Sequence, residues 1–322
     1  MTASPPPDAR RRFTPPPIVG PVLALAVVYV AFALLAPDTF LRSANTVSMV
    51  QKTVVVALSA LGMTLVIGTG GIDLGVGSLV AFTTVVVARL LRGGSSPGVA
   101  VLIALAAAAA IGAVVGTLIG RFRMLPFIVT LGSMSLLRGA AKGLASEQKI
   151  DADPRGLDHL VTADASSPAI WIAALLSAVV ALVLTTTRFG RHVVAVGSNE
   201  AAARLVGIDV ARIKMLVYAI ASLLAGVAGV IEFATLTVGD PTDAVGLELK
   251  VIAAVVLGGA PLTGGEASVA GTIAGALLMT VIETGGVHLG MPGWVQEIVT
   301  AIIIVVAPLV RARARRPAAG KM

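Results

Sequence analysis

Apolar residues run through this chain in continuous stretches separated by short polar or glycine-rich segments. The stretches fall at about 18 to 36, 47 to 69, 74 to 91, 99 to 120, 126 to 142, 168 to 187, 215 to 237, 248 to 260, 267 to 286 and 294 to 310. Most approach the roughly 20 residues that a helix needs to cross a hydrocarbon core. None alternates with period two, which excludes a membrane barrel. The pattern therefore predicts an all-α, polytopic transmembrane protein of about ten spans. The eighth stretch is too short for a simple crossing and ends in the turn-forming run GGAPLTGG, so it predicts a broken or re-entrant helix. Residues 1–17 read as a Pro-rich, disordered cytosolic tail, 18–310 as the transmembrane domain and 311–322 as a basic cytosolic tail facing anionic lipid. The first apolar stretch lacks a small-residue cleavage site, so it reads as a span and not a signal peptide.

Composition strengthens this reading. Of the 322 residues, 57% are hydrophobic and 13% charged, with mean hydropathy +0.96, whereas soluble domains carry roughly 25% charged residues. A net charge of +7 raises the question of nucleic acid, but the basic residues sit at the ends of apolar runs, where topology accounts for them. With Arg10 to Arg12 inside and every run crossing, Arg121, Arg123, the 188–214 segment and the basic C-terminal tail also fall inside. Asp38, Glu147, Asp151, Asp153, Asp158, Asp164, Asp240, Asp243 and Glu248 fall outside. That bias predicts both termini in the cytoplasm. The chain has no cysteine, and its three histidines, His159, His192 and His288, are scattered, so neither a metal site nor a cofactor is expected.

Two features break the apolar monotony. One is the polar, basic island GRHVVAVGSNEAAARLVGIDVARIK at 190–214. In it Ser198 or Asn199 can cap a helix over 200–206, with Glu200 in the first turn, Gly207 ending it left-handed and Asp209 capping the following span. A two-turn helix rigidly joined to a span suits transmission of a push from a soluble partner. An interfacial helix lying on lipid is the alternative. The other feature is an echo between VIGTGGIDLGVGS at 66–78 and VLGGAPLTGGEAS at 256–268. Either both are helices interrupted at a transport path, or high glycine and alanine content produces the match.

The island, with GMTLVIGTGGIDLGVGSLVA at 62–81, PFIVTLGSMSLLRG at 126–139 and ELKVIAAVVLGGAPLTGGEASVAGTIAGAL at 248–277, resembles the permeases of ABC importers of the ribose, xylose, arabinose and galactose class. The likeness covers about residues 40 to 310. Gly75 stands where that family often has Ser and Lys250 where Asp is common, and the basic tails lie outside the pattern. The resemblance implies a permease that pairs with a second copy, binds a cytosolic ATP-binding subunit and receives a sugar substrate from an extracytoplasmic binding protein. It implies contact with the ATP-binding subunit through Gly197, Ser198, Asn199, Glu200, Ala201, Ala202, Ala203, Arg204, Gly207 and Ile208. The chain contains no G-x-x-x-x-G-K-[ST], so energy must come from that partner or from an ion gradient. No catalytic residues are expected.

Candidates for the translocation path or gate are Asp73, Ser78, Thr130, Ser133 and Met134. Asp73 lies among Gly70, Gly71, Gly75 and Gly77, where it can accept backbone N–H groups and cap the third span, or gate. Thr130, Ser133 and Met134 share a helical face. Their hydroxyls can meet a sugar, their own backbone or a neighbouring helix. Arg138 and Lys142 read as snorkelling cations or contacts to the binding protein. Glu232, Glu283 and Glu297 read as hydrated or paired structural acids, with a proton relay as the rival assignment. That rival belongs to a secondary transporter or channel coupled to an ion gradient. The large outer loop, 143–167, is either a docking platform or a solvated connector.

Overall fold

Helix α3 (Ser43–Gly68) runs through the middle of the molecule, and every residue from Val56 to Gly68 is buried. A helix that is covered on all sides must lie inside a bundle. In this computed structural model, which describes residues 18–302 and 306, α3 is surrounded by α7 (Pro168–Thr186), α10 (Val210–Leu236), α11 (Leu247–Leu257) and α12 (Val269–His288). Helix α1 (Val19–Leu35) packs on α12, and the single turn α2 (Pro37–Phe40) leads into α3. The expected tails 1–17 and 311–322 lie outside the described residues.

The most extensive pairing joins α5 (Pro97–Gly120) to α10. Ala100, Ala104, Ala108, Gly112, Gly116 and Gly120 recur every fourth residue on the buried face of α5. A β-carbon on Gly116 would lie 2.6 Å from the Met215 Cα, and one on Gly120 would lie 2.7 Å from the Ala211 carbonyl oxygen. Lipid tails offer no hydrophobic drive for helices to associate, so dispersion contacts across such backbone approaches hold the pair. The outer faces of α1, α5 and α7 expose Leu34, Leu102, Val114, Trp171, Leu175 and Leu182, as a surface solvated by hydrocarbon would.

Among the described residues, five helices are long and apolar enough to cross a membrane: α3, α5, α7, α10 and α12. The other apolar stretches also form helices, namely α1, α4 (Val76–Arg92), α6 (Pro126–Leu144), α11 and residues 293–302. Of these, α1, α4, α6 and α11 start and stop close to the bounds expected from the sequence, and the helix at 293–302 begins at 293 where 294 is expected. Residues 188–198, expected as part of a polar loop, form a helix, α8 (Arg188–Ser198). Thr187 caps it by accepting the Gly190 N–H, and Gly190, Val193 and Val196 supply a buried stripe at three-residue spacing. That stripe is too narrow to stand out against the surrounding charge.

At the end of the molecule farthest from α8, β1 (Ile150–Asp151) pairs antiparallel with β2 (Val238–Gly239), with Ile150 opposite Gly239. Lys149 meets Asp240 at 2.9 Å, Leu157 and Leu160 of a 3-10 turn join an apolar cluster under α4, and Gln51 donates to the Thr162 carbonyl. The 143–167 loop is therefore pinned along its length.

After β2 the chain turns back into the bundle. A β-carbon on Gly239 would sit 3.0 Å from the Val85 Cα, and one on Gly77 would sit 2.6 Å from Glu248 Oε2. Residues 240–247 thus descend along α4 from Val85 to Gly77, about 12 Å at the helical rise. Arg138 of α6 holds this descent, donating from Nη1 to the Pro241 carbonyl at 2.9 Å and to that of Asp243 at 2.6 Å. Arg138 is neither snorkelling nor free for a partner. Its position near a helix end could not reveal that a loop 103 residues later would fold back beneath it. Helix α11 starts with Leu247 already buried.

Candidate functional site

The site is built from a surface handle and the two glycine breaks beneath it. Asn199 interrupts helical geometry for one residue, with φ −160° and ψ 100°, so α8 ends and α9 (Glu200–Leu205) begins at a corner. Its Oδ1 accepts the Ala202 N–H at 2.9 Å, which satisfies one of the donors a helix start leaves open. Of the two caps considered, it is Asn199 and not Ser198 that serves, because the Ser198 hydroxyl donates back to the Val194 carbonyl. At the far end the Ile208 N–H reaches the Ala203 carbonyl and the Gly207 N–H that of Arg204. This Schellman closure requires φ of +86° at Gly207, a left-handed value that costs glycine nothing. Asp209 then caps α10, its Oδ1 accepting the Arg212 N–H at 3.0 Å.

Glu200 fixes the handle to the long helix that follows. Its two carboxylate oxygens take Arg204 at 2.7 Å and Lys214 at 2.6 Å, so one acid spans α9 and the second turn of α10. Partial burial pushes its carboxyl up, but the bonds and charges of Lys214 and Arg204 outweigh that and hold its pKa below 4.5. Ala203 is buried against the bundle. Leu205 and Val206 are 89% and 77% exposed, two large apolar side chains presented at the tip of a charged segment. Gly197, Ser198, Asn199, Glu200, Ala201, Ala202, Arg204, Gly207 and Ile208 form one continuous structure from the last turn of α8 to the residues flanking that tip.

Below the handle, three backbones touch. Gly197, in the last turn of α8, packs on the carbonyl of Gly68 at the end of α3, and the Gly265 N–H donates to that same carbonyl at 3.1 Å. A β-carbon on Gly265 would fall 2.6 Å from Ser198 Oγ, and one on Gly264 would fall 2.6 Å from the Gly70 nitrogen. The segments 68–71 and 263–265 lie within the two stretches of the sequence echo, 66–78 and 256–268, and they meet at the root of the handle.

From this junction residues 69–75 rise unwound to the start of α4. The Ile72 carbonyl accepts both the Tyr218 hydroxyl of α10 and the Thr130 hydroxyl of α6, each at 3.3 Å. Asp73 is buried, and its Oδ1 accepts the Gly75 N–H at 2.8 Å. It braces the turn into α4, while Gly75 itself occupies the cap position. Ser133 donates to the Thr130 carbonyl, and its hydroxyl lies 2.7 Å from where a Gly75 β-carbon would be. Asp73, Thr130 and Ser133 thus gather around one break, with Met134 beside them and Ser78 buried in the first turn of α4. The hydroxyls of Thr130 and Ser133 are taken up by backbone carbonyls. The groove that Ser133 borders between α5 and α6 is walled by Ile111, Val114, Leu118, Ile128 and Leu136, so it offers a sugar few partners.

The polar cavity lies at the strand end. It measures ≈500 Å³ and is lined by Gln51, Lys52, Glu232, Asp243, Lys250 and Glu283, among others. The sequence offers Glu232 and Glu283, with Glu297, as hydrated or paired structural acids or as a relay. Glu283 is indeed paired, with Lys250 at 2.9 Å. The signal that could have found the cavity was the recurrence of charge in four apolar stretches, Lys52, Glu232, Lys250 and Glu283, since charge at such depth marks a hydrated path.

Comparison with known proteins matches residues 45–308 to the family described as branched-chain amino acid transport system / permease component. The ribose import permease protein of Escherichia coli K12 is 41% identical over 295 residues, covering 90% of this chain and 92% of its own length. The L-arabinose ABC transporter permease protein of Azospirillum brasilense is 35% identical, covering 90% and 86%. The fructose import permease protein of Bifidobacterium longum is 32% identical, covering 91% of each. No solved structure matches the chain. A buried central helix, outer helices with exposed apolar faces, glycine-broken segments and a match across most of the length place this chain in the branched-chain amino acid transport system permease family, as a multi-pass membrane protein.

Proposed function

We propose that this chain is the permease subunit of an ATP-driven sugar importer of the bacterial inner membrane, working as a homodimer and passing a pentose or hexose into the cytoplasm by alternating access. In this reading the helices form about ten spans, both termini are cytoplasmic, and the α9 handle docks in a cytosolic ATP-binding subunit. The strand end faces a soluble sugar-binding protein, and lipid covers the apolar flanks. The relatives named for ribose, arabinose and fructose import support the substrate class.

The observation that carries the mechanism is the position of the handle. Glu200 joins it to α10, a helix of 27 residues or about 40 Å. Gly197 and Ser198 rest on both glycine breaks. A displacement of α9 on closure of two ATP-binding subunits is therefore delivered to α10 through an ion pair, and to the roots of α4 and α12 through backbone contact. Broken helices whose ends are not tied into a continuous hydrogen-bond ladder yield to such a push more readily than intact ones. In that scheme Asp73, Thr130 and Ser133 keep the 69–75 break in shape, and Leu205 and Val206 are the apolar contact into the motor.

The test is uptake of labelled ribose, arabinose and fructose by proteoliposomes holding the chain with its ATP-binding and sugar-binding partner subunits. Accumulation that needs ATP, and is lost when Glu200 and Arg204 are both replaced by alanine, supports the proposal. Accumulation by the chain alone, driven by an ion gradient, overturns it.

A further inference from the structure

We infer that the apolar groove between α5, α7 and α10 at the strand end binds one glycerophospholipid with a zwitterionic headgroup, its acyl chain lying in the groove and its phosphate held by Arg155. This goes beyond the importer reading and needs only that the chain spans a bilayer. The groove measures ≈510 Å³. Helix α5 lends it Val101, Leu102 and Leu105, α7 lends Ile172, and α10 lends Val227 and Ile231. Leu157 and Leu160 of the 3-10 turn close it at the strand end. No charged or hydrogen-bonding side chain lines it.

Length, depth and side-chain size all favour a lipid as the occupant. From Pro97 to Leu105 the groove follows α5 for about 12 Å at the helical rise. That is less than half of the roughly 30 Å hydrocarbon core, so the groove serves one leaflet, the one at the strand end. Trp171, in the first turn of α7 beside Ile172, is 66% exposed. Tryptophans exposed on membrane helices collect at headgroup level, which sets the headgroups level with the closed end of the groove. Helices dock on one another in lipid through small residues. Ala100, Ala104 and Ala108 lie on the buried face of α5, and the side chains it turns to the groove are Val101, Leu102 and Leu105. A second copy or a foreign helix therefore finds no close backbone approach here, whereas a flexible acyl chain can follow such a wall.

Charge at the mouth names the headgroup. Arg155 donates from Nη1 to the Ser95 carbonyl at 3.1 Å, which ties it just ahead of Pro97, a lining residue. That bond takes one of the five guanidinium donors, and the exposed remainder of the planar fork suits a phosphate. Asp153, whose Oδ1 accepts the Arg155 N–H at 2.9 Å, and Asp158 belong to the same segment, so acids outnumber the one arginine there. An anionic headgroup meets net repulsion, while a headgroup that carries an ammonium beyond its phosphate is matched at both charges. The chain so held lies beneath Leu157 and Leu160, the residues that also pack on the cluster under α4. Lipid thereby helps to seat the 143–167 loop.

The test is photolabelling of the full chain in phosphatidylglycerol nanodiscs that hold a trace of phosphatidylethanolamine with a diazirine in one acyl chain, followed by peptide mapping. Labelling of Val101, Leu105 and Val227 should exceed that of Leu34 on α1 and Leu175 on α7, which are exposed to the same bilayer, by about fivefold or more. Unlabelled phosphatidylethanolamine should erase the excess. Arg155→Gln should lower it by about fivefold, the most that an exposed charge contact gives, and Arg155→Lys should keep most of it. Val101→Phe fills the groove and should abolish it, with Leu34 labelling unchanged as the sign that the variant is folded and inserted. Even labelling of groove and flanks overturns the site. A groove left unlabelled while Leu34 and Leu175 react means that protein covers it, a second copy included, and overturns the lipid. An equal excess with a phosphatidylglycerol probe of the same chain overturns the headgroup assignment. None of these readings needs ATP or sugar, so they are independent of the outcome of the uptake test.

Discussion

Replacing Gly197 with alanine should uncouple the transporter while leaving its subunits associated. The new methyl would lie 2.5 Å from the Gly265 nitrogen and 3.0 Å from the Gly68 carbonyl carbon. Carbon contacts settle near 3.5 Å, so the last turn of α8 must retreat from the two breaks by roughly 1 Å. Neither neighbour is a side chain that can swing aside; both are backbone. Overpacking of this kind costs about 1–3 kcal/mol, and where the contact is made in only one transport state that is roughly a 5- to 150-fold shift between states. The assay is uptake and ATP hydrolysis measured side by side in proteoliposomes with both partner subunits. Uptake should fall at least fivefold while hydrolysis persists and the ATP-binding subunit still co-purifies, because Leu205, Val206 and the α9 caps are untouched. Gly98→Ala, where no atom lies within 4 Å of the added carbon, should behave as the unmodified protein. An unchanged ratio of sugar moved to ATP hydrolysed in Gly197→Ala would refute the claim that force enters the breaks through this contact.

Three further outcomes are expected. Asn199→Ala removes the cap on α9 and should weaken binding of the ATP-binding subunit by about 1 kcal/mol, close to fivefold in Kd by titration, whereas Asn199→Asp should hold it. Glu200 has its pKa lowered from 4.5, so its stabilising pairs with Arg204 and Lys214 are complete above pH 4.5 and are lost as pH falls through the lower folded value. Affinity for the subunit should therefore be flat from pH 6 to 8 on this group's account. Glu200→Gln should be weaker than the parent at neutral pH by under about 1 kcal/mol, given the exposure of the pair, and the gap should close as pH falls through the lowered pKa; a gap that widens on acidification would contradict the assignment. Arg138→Ala takes two charge-assisted donors from the descending loop, each worth about 1.5–3 kcal/mol. It should lower the melting temperature in detergent by several degrees and speed thiol labelling of Thr242→Cys, with Arg138→Lys restoring only part because one ammonium lacks the guanidinium fork.

The helices were legible because hydrocarbon imposes a length and an apolar composition on anything that crosses it, and those two demands are written residue by residue. So were the corners of the handle: Asn199, Gly207 and Asp209 act on backbone groups within three residues of themselves, and such short-range bonds need no knowledge of the fold. The brevity of α11 was legible in its short apolar stretch and the GGAPLTGG run that ends it. Arg138, Lys250 and Gly197 were a different matter. Arg138 bonds to a loop 103 and 105 residues away, Lys250 to a residue 33 along, and Gly197 packs against Gly68 and Gly265. Glycine leaves no chemical trace of what approaches it, so nothing in the letters told that two breaks 190 positions apart would share a carbonyl with the end of α8. The sequence by itself determined that this chain lives in lipid, where its helices run and how the handle is capped. Only the tertiary structure decided what the handle rests on and where the charges collect, because both are set by contacts between backbones distant along the chain.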